Sequence, residues 1–114
     1  MSGMPGAIDA READLVLERL NLPMLLLDLA SVDDITRHDG ERRLHAVVAF
    51  DGAVGVEAVS TVVGRLLRVP LVTRVTVDRT DNWGVVELVT TCRVALSPGD
   101  WELRLELVDR ATLQ

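Results

Sequence analysis

Two short strings end alike, 47 residues apart: Leu20-Asn21-Leu22-Pro23 and Leu67-Arg68-Val69-Pro70. Each follows a helical pattern that proline cannot continue, because its ring clashes with the preceding turn and it lacks an amide donor. Before the first, Ala13, Val16, Leu17 and Leu20 recur at helical spacing, with Asp9 as N-cap and Glu12 three residues on. This predicts a helix over 9–21, after a flexible lead-in rich in Gly, Pro and Ser at 1–8. Before the second, Val56, Val59, Val63 and Leu66 mark one helix face, with Val62 and Leu67 beside them.

Each helix stop leads to a hairpin signal. Asp39-Gly40 suits a two-residue turn, whose central positions need positive φ. Asp81-Asn82 repeats it 42 residues later. The stretch 24–38 reads two ways: Leu25, Leu29, Val32 and Ile35 suit a helix, and Leu25, Leu27 and Leu29 a strand. The turn that follows favours a hairpin arm, irregular around Asp33-Asp34. The returning arm puts Leu44, Ala46, Val48 and Phe50 on one face. In the second hairpin Leu71, Thr73, Val75 and Val77 share a face, and Val86, Leu88, Thr90, Cys92, Val94 and Leu96 point inward. After the turn Ser97-Pro98-Gly99-Asp100, a last strand sets Trp101, Leu103, Leu105 and Leu107 against Glu102, Arg104 and Glu106. Such alternation suits an antiparallel strand with one wet face.

These signals predict one α+β domain over 9–114, with repeats at about 9–50 and 53–96 and an extra strand at 101–108. The expected fold is a ferredoxin-like two-layer sandwich of αββαββ order plus a C-terminal strand, its sheet antiparallel.

A chain of 114 residues, 48% apolar, has enough material for one core. The net charge of −6 argues against nucleic acid and anionic membrane as partners. No run approaches the roughly 20 apolar residues of a spanning helix. Met1-Ser2-Gly3-Met4-Pro5-Gly6 lacks the basic and apolar regions of a signal peptide. The expected location is cytoplasmic for a full chain and periplasmic for a domain excised from a membrane protein. Every basic residue is arginine, a bias associated with high-GC bacterial coding. Cys92 is the only cysteine, so no intrachain disulfide forms.

Four features bear on chemistry. Phe50-Asp51-Gly52-Ala53-Val54-Gly55 joins strand to helix, as phosphate loops do. It lacks the third glycine of a dinucleotide fingerprint and the Gly-Lys-Ser/Thr of a Walker loop, and Asp51 would repel phosphate. It reads as a turn in which Gly52 takes an unusual φ and Asp51 caps the helix. His38, Asp39 and His45, with Asp33 or Asp34, form the only conceivable zinc set, without ligand spacing on a rigid element. Cys92 falls on an inward face, where a thiol behaves as a small hydrophobe. Ser60, Thr61 and Gly64 form a small-residue patch on the outer side of the second helix, compatible with a partner's backbone. No nucleophile–base–acid set suggests itself, so no catalytic residue, cofactor or metal is expected.

The stretch AFDGAVGVEAVSTVVGRLLRVPLVTRVTV (49–77) resembles the periplasmic domain of the PilO/GspM family of type IV pilus and type II secretion machines. The shared features are a glycine link, an amphipathic helix, a proline-closed end and a strand, and the αββαββ order extends the resemblance over roughly 9–96. The resemblance implies a non-enzymatic domain that forms homodimers or heterodimers. The family carries a membrane helix and a coiled coil before this domain, and neither is present in this sequence. The strand at 101–108 also departs from the family pattern.

The leading expectation is a scaffold or dimerisation module whose partner is protein. Its candidate interaction residues are Ser60, Thr61 and Gly64, and Trp101, Leu103, Leu105 and Leu107 on a last strand expected at a sheet edge. The alternative is a small-ligand regulatory domain, since LHAVVAFDGAVGVEAVSTVVGRLL also resembles the strand, loop and helix of ACT-like domains. A third reading is an enzyme built on His38, His45 and Asp39.

Overall fold

The computed structural model describes residues 5–38, 42–82, 87–97 and 99–113. The chain opens with α1 (Pro5–Leu20), a short α2 (Leu22–Leu25), and strands β1 (Ser31–His38) and β2 (Arg43–Phe50). The second unit is α3 (Val56–Leu67), β3 (Val72–Asn82) and β4 (Glu87–Leu96). Then come β5 (Trp101–Asp109) and a 3₁₀ turn at Arg110–Leu113. The doubled helix–strand–strand order is therefore present, but several boundaries move for local reasons.

The first helix starts at Pro5, a favoured first-turn residue, so Asp9 lies inside it and not at its cap. It stops at Asn21, whose φ of 46° is left-handed, a conformation asparagine tolerates better than most residues. Pro23 thus belongs to the first turn of α2 and does not itself end α1. The ambiguous stretch 24–38 divides in two. Leu26 and Leu29 close a turn behind α2, and the hairpin arm begins only at Ser31. That arm carries a bulge between Val32 and Asp34, at the expected irregularity. The Asp39-Gly40 turn lies outside the described residues. Asp81 and Asn82 are not in the second turn: they still pair in β3, opposite Leu88 and Glu87.

The five strands form one sheet in the order β1-β2-β5-β4-β3. β1–β2, β3–β4 and β4–β5 are antiparallel, while β2–β5 is parallel. The sheet is thus mixed, not antiparallel as expected. The cause is β5, which enters between the two hairpins instead of adding to one side. A strand with one buried face alternates in the same way at either place, so its pattern cannot report its neighbours.

Core positions run in rows across the strands. One row is Ile35, Ala46, Leu105, Cys92 and Val77, and the next is Arg37, Leu44, Leu103, Val94 and Val75. The middle members of each row are fully buried, and the end members are more exposed. Ala13, Val16 and Leu20 of α1, Leu22 and Leu26, and Val62 and Leu66 of α3 bury their side chains in the same core. Helices thus cover one face of the sheet. Burying a large aliphatic side chain contributes about 1.5–3 kcal/mol, so β5, with three buried leucines and the buried Trp101, is the main source of cohesion.

The two units are also clamped by charge. Arg65 on α3 makes two hydrogen bonds to the Asp28 carboxylate, 2.6 and 2.9 Å, and a third to the Leu25 carbonyl. The Arg65 guanidinium holds the Asp28 carboxyl down at about 2, and Asp28 raises the pKa of Arg65 in turn.

Candidate functional site

The loop that joins the units is held by a glycine turn and an ion pair. Gly52 has φ 116°, the unusual conformation expected of it. Asp51 does not cap α3, whose N-cap is Gly55 with no side-chain bond. Asp51 instead pairs with Arg110 at 2.6 Å, and Arg110 also donates to the Ser31 hydroxyl. That bracket ties the 3₁₀ turn to the start of β1.

The uncovered sheet face is charged, and two contacts join ionisable groups across it. Arg93 meets Asp78 at 2.9 Å, and His45 lies 3.6 Å from Glu106. His45 stands on β2 opposite Thr36 of β1, while His38 is opposite Arg43. Asp39 lies outside the described residues. Among the described residues no group of three or more His, Cys, Asp or Glu side chains could hold a metal ion. Cys92 is buried on the helix side, and burial pushes its thiol up to about 11. At neutral pH it is a protonated core residue.

The expected interaction residues fall into two groups. Ser60, Thr61 and Gly64 are exposed on the outer side of α3. A Cβ added at Gly64 would meet nothing within 4 Å, so no intrachain packing requires glycine there. The Thr61 hydroxyl donates to the Glu57 carbonyl one turn back. Trp101, Leu103, Leu105 and Leu107, by contrast, are at most 2% exposed. Their strand is paired on both sides, so the expected edge is not there, and the chain's own helices cover its apolar face.

The free edges belong to β1 and β3. β3 is the longer, and exposed apolar side chains lie near both edges: Met24, Leu27 and Ile35 on the β1 side, and Val56, Leu67 and Val77 on the β3 side. Val77 is 41% exposed on the helix side of β3, and on α3 Val56 is 71% and Leu67 56% exposed. Arg65 reaches α2 from one side of α3, so the Val56, Ser60, Val63 and Leu67 side, by helical spacing, points away from α2 along the β3 flank. Sequence reasoning passed over this edge because strand order was not legible. Its signal was the length of LVTRVTVDRT.

A cleft of about 250 Å³ opens beside α1. Leu15, Val16, Leu71 and Trp101 contribute apolar walls, and Glu12, Arg19 and Arg42 a charged rim. Arg42 donates to the Gly99 carbonyl and lies 3.8 Å from Glu12, so part of that rim is already engaged.

Fold and surface together define an α+β domain of two layers, a mixed five-stranded sheet and helices on one side. No protein-family model, curated protein or solved structure matches the chain. Among the described residues no helix is long and apolar enough to cross a membrane.

Proposed function

We propose that the chain is a non-enzymatic protein-interaction module, a scaffold or dimerisation domain, and that it serves a type IV pilus or type II secretion-like assembly as the PilO/GspM-type domains it resembles do. The observation that supports the reading is the free side of β3, flanked by the exposed apolar side chains Val56, Leu67 and Val77. An unpaired strand edge presents a row of backbone donors and acceptors, and apolar side chains beside it gain from being covered. The two αββ units are, on this reading, a ferredoxin-like pair parted by β5. The test is light scattering of the purified chain over a dilution series, together with a pull-down. A strict monomer that retains no protein would sink the proposal.

The cleft beside α1 supports a second reading, the ACT-like regulatory domain. Its walls and rim suit a small carboxylate with an apolar body, such as an amino acid. Thermal shift with a panel of amino acids and nucleotides tests it, and the absence of any stabilisation would remove it.

A further inference from the structure

The interaction reading leaves the partner open, and β3 itself supplies the chemistry of one. We infer that two copies of this chain pair antiparallel through their β3 strands, with the two-fold axis at Thr76. The inference rests on the interaction-module reading and names the partner for it.

The register of β3 selects this pairing. In an antiparallel pair, residues directly opposite lie on the same face of the sheet. Pairing with β4 fixes those faces: Val75 and Val77 stand opposite Val94 and Cys92 on the core side, and Arg74, Thr76 and Asp78 opposite Ala95, Arg93 and Thr91 on the open side. With Thr76 on the axis, Val75 meets Val77 of the second copy and Arg74 meets its Asp78, each pair occurring twice. Apolar therefore meets apolar, and cation meets anion.

The neighbouring registers fail on the same criteria. Moving the axis to Val77 puts Val75 against Arg79, and moving it to Val75 sets Arg74 against Thr76. An axis at Arg74 or Asp78 places like charges together. A shift by half a step would bring core-side residues against open-side ones, which the pleat forbids.

β1 offers no equivalent. Its free edge carries Asp33 at the bulge and Asp34 after it, and an axis at Thr36 would put apolar Ile35 against the charged Arg37. On the helix layer the β3 axis brings each α3 toward its copy, which shields Val56 and Leu67, both now exposed.

The test is a charge exchange in the whole chain, read by light scattering at several concentrations, with circular dichroism to confirm folding. Arg74→Asp or Asp78→Arg alone turns two opposite-charge pairs into two like-charge pairs and weakens self-association by about tenfold or more. The double variant Arg74→Asp with Asp78→Arg restores it to within about threefold, although the Arg93–Asp78 contact within each chain stays lost. Thr76→Cys gives a disulfide-linked dimer on mild oxidation, while the parent, whose only thiol is the buried Cys92, and Thr61→Cys give none. A parent that is monomeric at every concentration overturns the inference, and the interaction reading then falls only if the pull-down is also empty. A parent that dimerises but ignores the charge exchange overturns this register and leaves the interaction reading standing.

Discussion

β1 and β3 stand at opposite ends of one sheet, and each is the first strand of an αββ unit, yet their free sides are built differently. Both carry a bulge near the start, at Asp33 in β1 and Thr73 in β3. In β3 the Thr73 hydroxyl donates to the Ala95 carbonyl, so that bulge is tied back to its own sheet. Beyond the bulge, β1 continues with an acidic residue, and its Arg37 is drawn inward to Asp14 on α1. β3 continues with arginine and aspartate in balance around a threonine, and with two valines on the core side. Bulges and charged side chains blunt an edge, while charges of opposite sign placed opposite each other attract across a pair. The same backbone unit, used twice, leaves a free edge at each end of the sheet, and the side chains along the two edges differ.

The largest effect should come where the two units are joined. Leu105 on β5 is fully buried between Ala46 of the first unit and Cys92 of the second. Leu105→Ala should cost about 3 kcal/mol in urea unfolding, whereas Val77→Ala, at the open edge, should cost well under about 1 kcal/mol. Comparable losses at the two sites would break the distinction between joint and edge.

Two turn glycines give the next comparison. Gly52 links the units, and Gly99, with φ 99°, leads into β5. A Cβ at Gly52 meets nothing within 4 Å, but one at Gly99 would lie 3.0 Å from the Trp101 ring. Gly52→Ala should cost about 1 kcal/mol from backbone strain alone, and Gly99→Ala about 2 kcal/mol or more because a buried ring must also shift. Equal melting temperatures for the two variants would refute this ranking.

Thr90 marks an imperfection in the second unit. It is fully buried, and its hydroxyl has no hydrogen-bond partner among the described residues. Leu107 faces it on β5, with Val48 and Val32 completing the row in the first unit. Thr90→Val should therefore stabilise the chain by about 1 kcal/mol, read as a higher urea midpoint at unchanged slope. A lower midpoint would mean that the hydroxyl has a partner after all.

The smallest effect is the clamp between units. The folded Asp28 pKa is depressed, so its contribution is complete above the usual carboxylate range and is lost as pH falls toward about 2. Because Asp28 is largely exposed, the change in stability should be slight. An NMR titration should place the Asp28 carboxyl midpoint near 2, and Arg65→Gln should return it to the ordinary range. A midpoint that Arg65→Gln leaves unmoved would show that the clamp does not form in solution.

Much of the secondary structure was legible because burial on one face writes itself into alternation. Leu44, Ala46 and Val48, and Trp101 through Leu107, are buried at alternate positions as read from sequence. On α3 the expected stripe was read too wide: of its face Leu66 is buried, Val59 and Val63 are half-buried and Val56 is exposed, and of the two residues beside it Val62 is buried and Leu67 exposed. The helix ends were less legible, because the left-handed turn at Asn21 and the early start at Pro5 depend on packing and not on proline alone. The place of β5 was not legible at all, and with it went the expected interaction role of Trp101, Leu103, Leu105 and Leu107. Which strands adjoin is settled by how hairpins and a crossover helix fit together, over distances that no local pattern records.

The central position of β5 has a consequence for synthesis. Residues 101–109 stand between β4, made just before them, and β2, made far earlier, and Leu44 waits for Leu103 until the chain is nearly complete. Until that segment is in place, the chain is two unjoined hairpins with four open sides in place of two. Such long-range pairing forms slowly, and those temporary sides are the ones on which nascent chains misassemble or are met by chaperones. A frameshift or early stop before Trp101 would make that exposed condition permanent, so a message damaged late in its reading frame should yield an aggregation-prone product and not a slightly shortened domain.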